Sequence, residues 1–381
     1  MLKVALVRGR HLNKYEMQSY EPLADKYQVT GFGSLTAYHD NFSFPVIKLL
    51  SPIDILSLTN RLKISQRLTL GLLNRLFIDS QYLLGLEGQL KGYDIAHTAD
   101  TYYHFTHQCI IAKRKGCVKK VVATAWENIP FNNEGIWGRK EFKKEAIGAI
   151  DHFIAVTKQA KEVLILEGCP SEKISIVPLG IDTRRFKPVD IRKNNKYLTI
   201  LFVGRLEQTK GIFDLVSAAS NLIEDNDLKK YTLRFILVGD GSEKSKIIKL
   251  ESYLGISSFF THQTLTYDKM PSVYRKADIF IAPSRSTSHW QEQFSVALLE
   301  AQSSGLPIIS TQTGAISENV DGVAILTKPG DVEELTRALK KLITNPDIRY
   351  KMGKKARERA VKLFDIEIIS KEIGQIYQSL F

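Results

Sequence analysis

Two carboxylates stand eight residues apart in "HWQEQFSVALLEAQSSGLPIIS", residues 289–310: Glu292 and Glu300. Two cations, Arg205 and Lys210, flank the polar turn of "LFVGRLEQTKGIFDLVSAA", residues 201–219. In that second stretch an apolar strand ends at Gly204 and a helix starts near Gly211. Unpaired helix N–H groups and two cations would together hold a diphosphate. A solvated loop with ordinary surface charges is an equal reading of the same residues taken alone. In the first stretch "SVALLEAQSS" has helical spacing, which puts Glu300 inside a helix and Glu292 before it, while "GLPIIS" supplies a turn and the next strand. If helical throughout, the eight-residue offset is about 12 Å. The two carboxyl groups of a glycosidase lie roughly 5 to 10 Å apart across one bond, so hydrolysis is the less natural chemistry and a longer ligand touched at both ends fits better. The plainer alternative is one capping carboxylate and one surface ion pair. The "ALL" before Glu300 and the small residues around it favour a buried, liganded carboxylate.

These residues need a scaffold, and the chain has the material for one. Its 381 residues, 44% hydrophobic and 25% charged, are globular values and suit two domains. Short β-branched runs recur: "KVALV", "DIAHTA", "KKVVATA", "HFIAVT" and "ISIVPL" in the first half, then "LTILFVG", "LRFILVG", "DIFIAPS" and "LPIIS". Most are continuously apolar, as strands covered on both faces are, and the segments between them have helical spacing, as at Leu215, Ala218, Ala219 and Leu222. Alternating strands and helices imply doubly wound parallel sheets of α/β class, whose ligands sit outside the carboxyl ends of the strands. The polar stretch "KPVDIRKNNK", residues 187–196, is the best linker. The expected organisation is therefore a Rossmann-like domain at 1–187, a linker at 188–196, a second Rossmann-like domain at 197–364, and a last helix at 365–381 that packs on either domain.

Fifty-three Lys and Arg against 41 Asp and Glu give a net charge of +12, which attracts phosphates, nucleic acid or acidic lipid. No module of stacking aromatics with Arg and Lys is recognisable, so nucleic acid is not expected. Residues 48–75 hold Lys48, Arg61, Lys63, Arg67 and Arg75 with one acid, Asp54, among leucines and isoleucines. Such a stretch can seat on anionic lipid, although a helix pair packing on the sheet is the commoner outcome. Cys109, Cys117 and Cys169 form no disulfide framework or zinc motif. With a strand-like start, "MLKVALVRGR", and no apolar run near 18 residues, the reading is a cytoplasmic protein, at most resting on the inner face of a membrane.

"VGRLEQTKG", followed about ninety residues later by "EQFSVALLEAQSSGLPII", resembles the donor-binding domain of glycosyltransferase family 4, the retaining enzymes of the GT-B fold. "ISIVPLGIDTRRFKP", "VGDGSEKSKI" and "YRKADIFIAPS" fall in the order of that family. The resemblance is strong over about residues 150–345 and weak before them. It implies two Rossmann-like domains facing each other across a cleft, and transfer of a hexosyl group from a UDP-, GDP- or ADP-sugar to a glycan or lipid-linked acceptor, with no further cofactor and no metal. Arg205 and Lys210 would hold the donor diphosphate, Glu300 the ribose hydroxyls and Glu292 the sugar end, with Gly204 at the strand end. Backbone N–H groups of Phe294 and Ser295 would meet phosphate or sugar oxygens. Where the family has glycine, this chain has Gln293 and Ser295.

The first half departs further from the pattern. "VRGR" after the first strand places Gly9 where the family has a glycine-rich loop facing the phosphates. "VVATAWENIP", residues 121–130, carries Trp126, Glu127 and Asn128 where many members have a histidine after the strand. Glu127, or His97 in "YDIAHTAD", is the candidate replacement near the reacting centre, and each reads more as a cleft residue than as a true base. "DND" at 225–227 imitates a metal-binding pattern but reads as the polar end of a helix, and His104 with His107 lacks the partners of a zinc site. Two other readings stand beside the transferase: a nucleotide-sugar 2-epimerase of the same fold, and a non-catalytic sugar-nucleotide-binding subunit.

Overall fold

A computed structural model describes residues 1–57, 65–189 and 197–381. The expected linker lies outside the described residues from position 190 on, as do Arg61 and Lys63. The chain divides into two units: Met1–Gly180 with Ile366–Phe381, and Ile181–Asp365.

The first unit is built on seven strands among the described residues: β1 (Lys3–Gly9), β2 (Gln28–Ser34), β3 (Val46–Leu49), β4 (Tyr93–Ala99), β5 (Val118–Ala125), β6 (His152–Ala155) and β7 (Ile174–Ile176). Their order is β3-β2-β1-β4-β5-β6-β7 and every pairing is parallel. The unbroken apolar run of β1 follows from cover on both faces. Ala5 and Val7 pack with Phe105, Cys109 and Ile110, while Val4 and Leu6 face Ile369, Ile373 and Tyr377 of the final helix, Ile366–Ser379. That last helix thus completes the core of the first unit.

The second unit has six described strands: β8 (Leu198–Val203), β9 (Leu233–Val238), β10 (Phe260–Gln263), β11 (Ile279–Ala282), β12 (Ile308–Thr311) and β13 (Ala324–Thr327). They are ordered β10-β9-β8-β11-β12-β13, again all parallel. Ile200 and Phe202 of β8 pack with Leu215, Val216 and Ala219 of helix Ile212–Glu224, whose apolar spacing was evident in the sequence.

In each sheet the chain winds outward in one direction and then restarts from the middle. The winding reverses between β1 and β4 in the first unit and between β8 and β11 in the second. Crevices at such reversals, outside the carboxyl ends of the strands, are where sheets of this type take ligands. Gly9 and Gly204 end or follow the two inner strands β1 and β8, so both reversals are occupied by residues singled out from the sequence.

Candidate functional site

At the β8/β11 reversal the backbone leaves β8 through Gly204 and Arg205, forms a short turn at Gln208–Lys210, and enters helix Ile212–Glu224. Gly211 joins turn to helix with φ +66°, and a Cβ there would lie 1.8 Å from the Pro283 carbonyl oxygen. Only glycine allows this approach, which brings Lys210 against the chain leaving β11. The Lys210 ammonium donates to Glu292 Oε2 at 2.7 Å, and the Ser284 hydroxyl donates to the same oxygen at 3.0 Å. Both ionic side chains are largely buried. Trp290 lies beside them, its ring centroid 4.7 Å from Lys210 Nζ, so the indole covers the cation in the loop that precedes Glu292.

Ser295 begins helix Val296–Ser303 in extended conformation, its hydroxyl accepting from Leu298 N–H. Its carbonyl receives the Asn319 amide at 3.2 Å. Phe294 is buried and meets Phe364 edge-on, while Gln293 is half-buried. Glu300 is buried within the helix and accepts from the Tyr274 hydroxyl at 2.6 Å. Burial pushes its carboxyl up to about 7, against the lowering effects of Tyr274, Tyr267 and the Arg185 charge. Glu292 and Glu300 therefore serve two separate polar clusters of one unit, one cationic and one phenolic. Arg205 is not drawn into either: its guanidinium is exposed and pairs with Glu207 at 3.0 Å.

In the first unit Gly9 ends β1 at φ +55°, and a Cβ there would meet Gln81 Oε1 at 2.6 Å and the Phe105 ring at 3.1 Å. His97 requires a correction. It was expected at a strand end facing a ligand, yet its side chain is fully buried beneath the final helix. Nδ1 lies 2.6 Å from the Tyr377 hydroxyl and Nε2 2.8 Å from Thr124 Oγ1. Burial, helped by the Arg8 charge, holds the ring well below its ordinary pKa and hence neutral. Both nitrogens are occupied by protein, which removes His97 as a base. Glu127 is likewise committed: Oε1 accepts from the backbone N–H groups of Asn128 and Ile129, and Oε2 from the side-chain amides of Asn132 and Asn133. Four donors make this carboxylate the organiser of the loop after β5.

No group of three or more His, Cys, Asp and Glu suited to a metal occurs among the described residues. Asp225 and Asp227 of "DND" share the Lys340 ammonium at 2.6 and 2.8 Å, and His107 pairs with Glu145. Ser284, Tyr274, Tyr267 and Arg185 were missed in the sequence, because hydroxyl and guanidinium groups distant along the chain carry no spacing signal.

A family model described as Glycosyl transferases group 1 matches residues 183–359, and one described as Glycosyltransferase Family 4 matches residues 53–185. The chain belongs to glycosyltransferase family 4. An MMP alpha-(1->4)-mannosyltransferase of Mycolicibacterium hassiacum is 28% identical over 264 residues, which is 68% of this chain and 61% of the relative. A D-inositol 3-phosphate glycosyltransferase of Nocardia farcinica is 30% identical over 230 residues, 56% of this chain and 49% of the relative. The matched region thus spans between half and three fifths of these curated relatives. Among solved structures, Anabaena HepE in complex with UDP superposes with TM-score 0.74 at 16% identity, with full coverage of both chains. A sucrose-phosphate synthase from Thermosynechococcus elongatus gives 0.72 at 19% identity, covering 100% of this chain and 99% of that one. This family 4 member therefore has the GT-B fold, with its seven- and six-stranded parallel sheets. No described helix is long and apolar enough to cross a membrane.

Proposed function

We propose that this chain moves a hexosyl group from a nucleotide diphosphate-sugar to an acceptor hydroxyl, with retention at the anomeric carbon, in the assembly of a polysaccharide, glycolipid or glycoprotein glycan. The observation that carries the reading is the Lys210–Glu292 pair, buried at the β8/β11 reversal beside the Ser295-capped helix. A diphosphate leaving group accumulates negative charge as the glycosidic bond breaks, and a cation already fixed in a largely buried place stabilises that charge without reorganising. Arg205 is exposed on the neighbouring turn and is the second cation in reach of an arriving phosphate. Glu300, inside the same helix, is the acceptor for ribose hydroxyls. Retention needs no enzymic nucleophile if the acceptor attacks from the face that the phosphate leaves. Relatives named as glycosyltransferases, and HepE solved with UDP, support a nucleotide-sugar as co-substrate.

The acceptor is a glycan or a lipid-linked sugar. For a lipid-linked one, a membrane contact fits the first unit. Leu68, Leu72 and Leu76 recur every four residues on helix Gln66–Phe77 and are exposed by 74%, 56% and 67%. Ile78, which ends this helix, abuts Gly138, next to the 86% exposed Trp137. With Arg75 and Lys140 also exposed, the patch has the leucine, tryptophan and basic make-up of an interfacial helix on anionic lipid.

The deciding experiment is thermal unfolding with UDP-, GDP- and ADP-sugars, followed by NMR of the product's anomeric proton. Stabilisation by one nucleotide class and a product that keeps the donor's configuration are expected. Absence of stabilisation by every donor overturns the reading, and conversion of the donor to its 2-epimer would assign the chain to that other activity.

A further inference from the structure

Trp290 is left unused by the leaving-group chemistry at the Lys210–Glu292 pair. It lies in the loop between β11 and helix Val296–Ser303, and that loop is tied down on both sides. On the entering side the Arg285 N–H donates to the Thr209 carbonyl at 2.8 Å, and the Arg285 guanidinium donates through Nε to Asp214 Oδ2 at 2.6 Å. Both partners belong to the turn and helix that flank Lys210. On the leaving side the Glu292 carbonyl accepts from the Ala315 N–H at 2.8 Å. Between these ties the chain closes a tight turn, Thr287 N–H to Trp290 carbonyl at 2.7 Å, with Ser288 and His289 exposed at its tip. Trp290 thus stands at the foot of a short tip, on an anchored frame.

Its distance from the cation places it beside the transferred group. The ring centroid is 4.7 Å from Lys210 Nζ. The Lys210 side chain keeps 17% of its surface open, which leaves a side for phosphate. A phosphate oxygen bound to the ammonium lies about 2.8 Å from Nζ. In a nucleotide diphosphate-sugar the anomeric carbon is joined to the distal phosphate through a single oxygen. A sugar ring on a phosphate held by Lys210 therefore starts within reach of the indole. The indole is half-buried, so part of its surface remains open to such a ring. A pyranose is polar at its rim and apolar on its faces, and a broad aromatic surface beside the polar groups of Glu292 and Ser284 matches both.

We propose that Trp290 is a sugar-binding residue of the donor site, the apolar platform on which the transferred hexosyl ring rests while Lys210 holds its phosphate. The inference rests on the transferase reading and deepens it. Two contributions are separated at one place: the ammonium holds the diphosphate, and the indole recognises what the diphosphate carries. A tryptophan that only packed under its loop would serve both parts of the donor alike.

The test is calorimetric titration of the intact chain with matched ligands: UDP with UDP-glucose and UDP-galactose, GDP with GDP-mannose, and ADP with ADP-glucose. The quantity read is the ratio of two dissociation constants, nucleotide-sugar over nucleotide, for the pair that binds the parent. In Trp290→Ala this ratio should rise by about tenfold, the loss of one aromatic contact. In Trp290→Phe, which keeps a ring, it should rise by less than about threefold, and affinity for the nucleotide alone should stay within about threefold of the parent's in both variants. A ratio unchanged in Trp290→Ala, whether neither ligand is affected or both weaken equally, overturns the platform. If no nucleotide and no nucleotide-sugar binds the parent, it is the donor reading that fails, and the platform falls with it.

Discussion

Lys210 and Glu292 are 82 positions apart in sequence and 2.7 Å apart in space, joined at a strand reversal where Gly211 lets two loops touch. The pair fixes the ammonium before any ligand arrives. Lys210→Ala should lower turnover by about 10²-fold or more, the usual loss when a fixed charge-stabilising donor is removed. Glu292→Gln should leave donor affinity within about tenfold while lowering turnover, because the cation remains and its position loosens. Steady-state kinetics at saturating donor separates the two, and turnover of the Lys210 variant equal to the parent's would remove it from the site.

Glu300 gives a pH dependence with a definite sign. Burial raises its carboxyl to about 7, so near neutrality the free protein holds a mixture of acid and anion. Ribose hydroxyls donate best to the anion, so donor affinity should rise between pH 6 and about 8 and then level off. Stability runs the other way. The folded value lies above the unfolded one, so this group's contribution is complete below the ordinary glutamate pKa and is lost as pH rises through about 7. Glu300→Gln should weaken donor binding and flatten both profiles. Calorimetric titration with the preferred donor across pH 6–8 measures the first, and a parent affinity that falls as pH rises contradicts the assignment.

His97 provides the opposite kind of test, that of a residue whose role is packing. With one ring nitrogen on Tyr377 and the other on Thr124, His97→Ala takes this partner from the buried Tyr377 hydroxyl and leaves a hole under the final helix, while Thr124 Oγ1 keeps its contact with Tyr20. The expected cost is about 2–4 kcal/mol of unfolding free energy by urea titration. Turnover per folded molecule should stay within about threefold of the parent's. A loss of 10²-fold without destabilisation would return His97 to the catalytic group.

Both sheets were legible in the sequence because strands covered on two faces are apolar throughout, as Val4 to Val7 and Ile200 to Phe202 are, and because these runs alternate with segments of helical spacing. Arg205, Lys210 and Glu292 stand out in the sequence because each lies in a short motif at an element boundary, and Glu300 because it is a carboxylate among apolar and small residues inside a helix. What those residues touch was not. Tyr274 reaches Glu300 from a different helix, and Ser284 reaches Glu292 from the end of β11, contacts that only the folded sheet creates. His97 misled for a related reason: its place near the end of β4 was read correctly, but the face it points to depends on a helix 280 residues later that covers it. Asp100, three residues on, has the unusual backbone that composition cannot reveal.

Gly211 should be the most sensitive backbone position of the second unit. Any side chain there meets the Pro283 carbonyl at 1.8 Å and must also hold φ at +66°. Gly211→Ala is expected to destabilise by more than about 2 kcal/mol, since both a clash and an unfavourable dihedral are imposed. Because relief requires the Gln208–Lys210 turn to move away from β11, Lys210 should separate from Glu292. Donor-induced stabilisation in the thermal assay should then shrink even at temperatures where the variant is folded. A variant with parent-like stability would mean that the two loops do not need this approach.

The exposed leucines make the membrane contact testable by sedimentation. Leu68, Leu72 and Leu76 form one stripe of a helix whose buried residue Leu73 packs with Ile53 and Leu56, so the stripe is surplus to that small core. Replacing Leu72 and Leu76 together with Ser should leave urea stability within about 0.5 kcal/mol, as surface changes usually do. If the stripe inserts at the headgroup boundary, the parent should sediment with vesicles of phosphatidylglycerol and phosphatidylcholine, and less so as salt is raised, because Arg75 and Lys140 supply a screened attraction. The double variant should remain in the supernatant. Parent protein that ignores the vesicles at low salt, or a double variant that still binds them as tightly, removes the lipid surface as the partner of this face; concentration-dependent self-association lost in the same variant would give the face to a second copy instead.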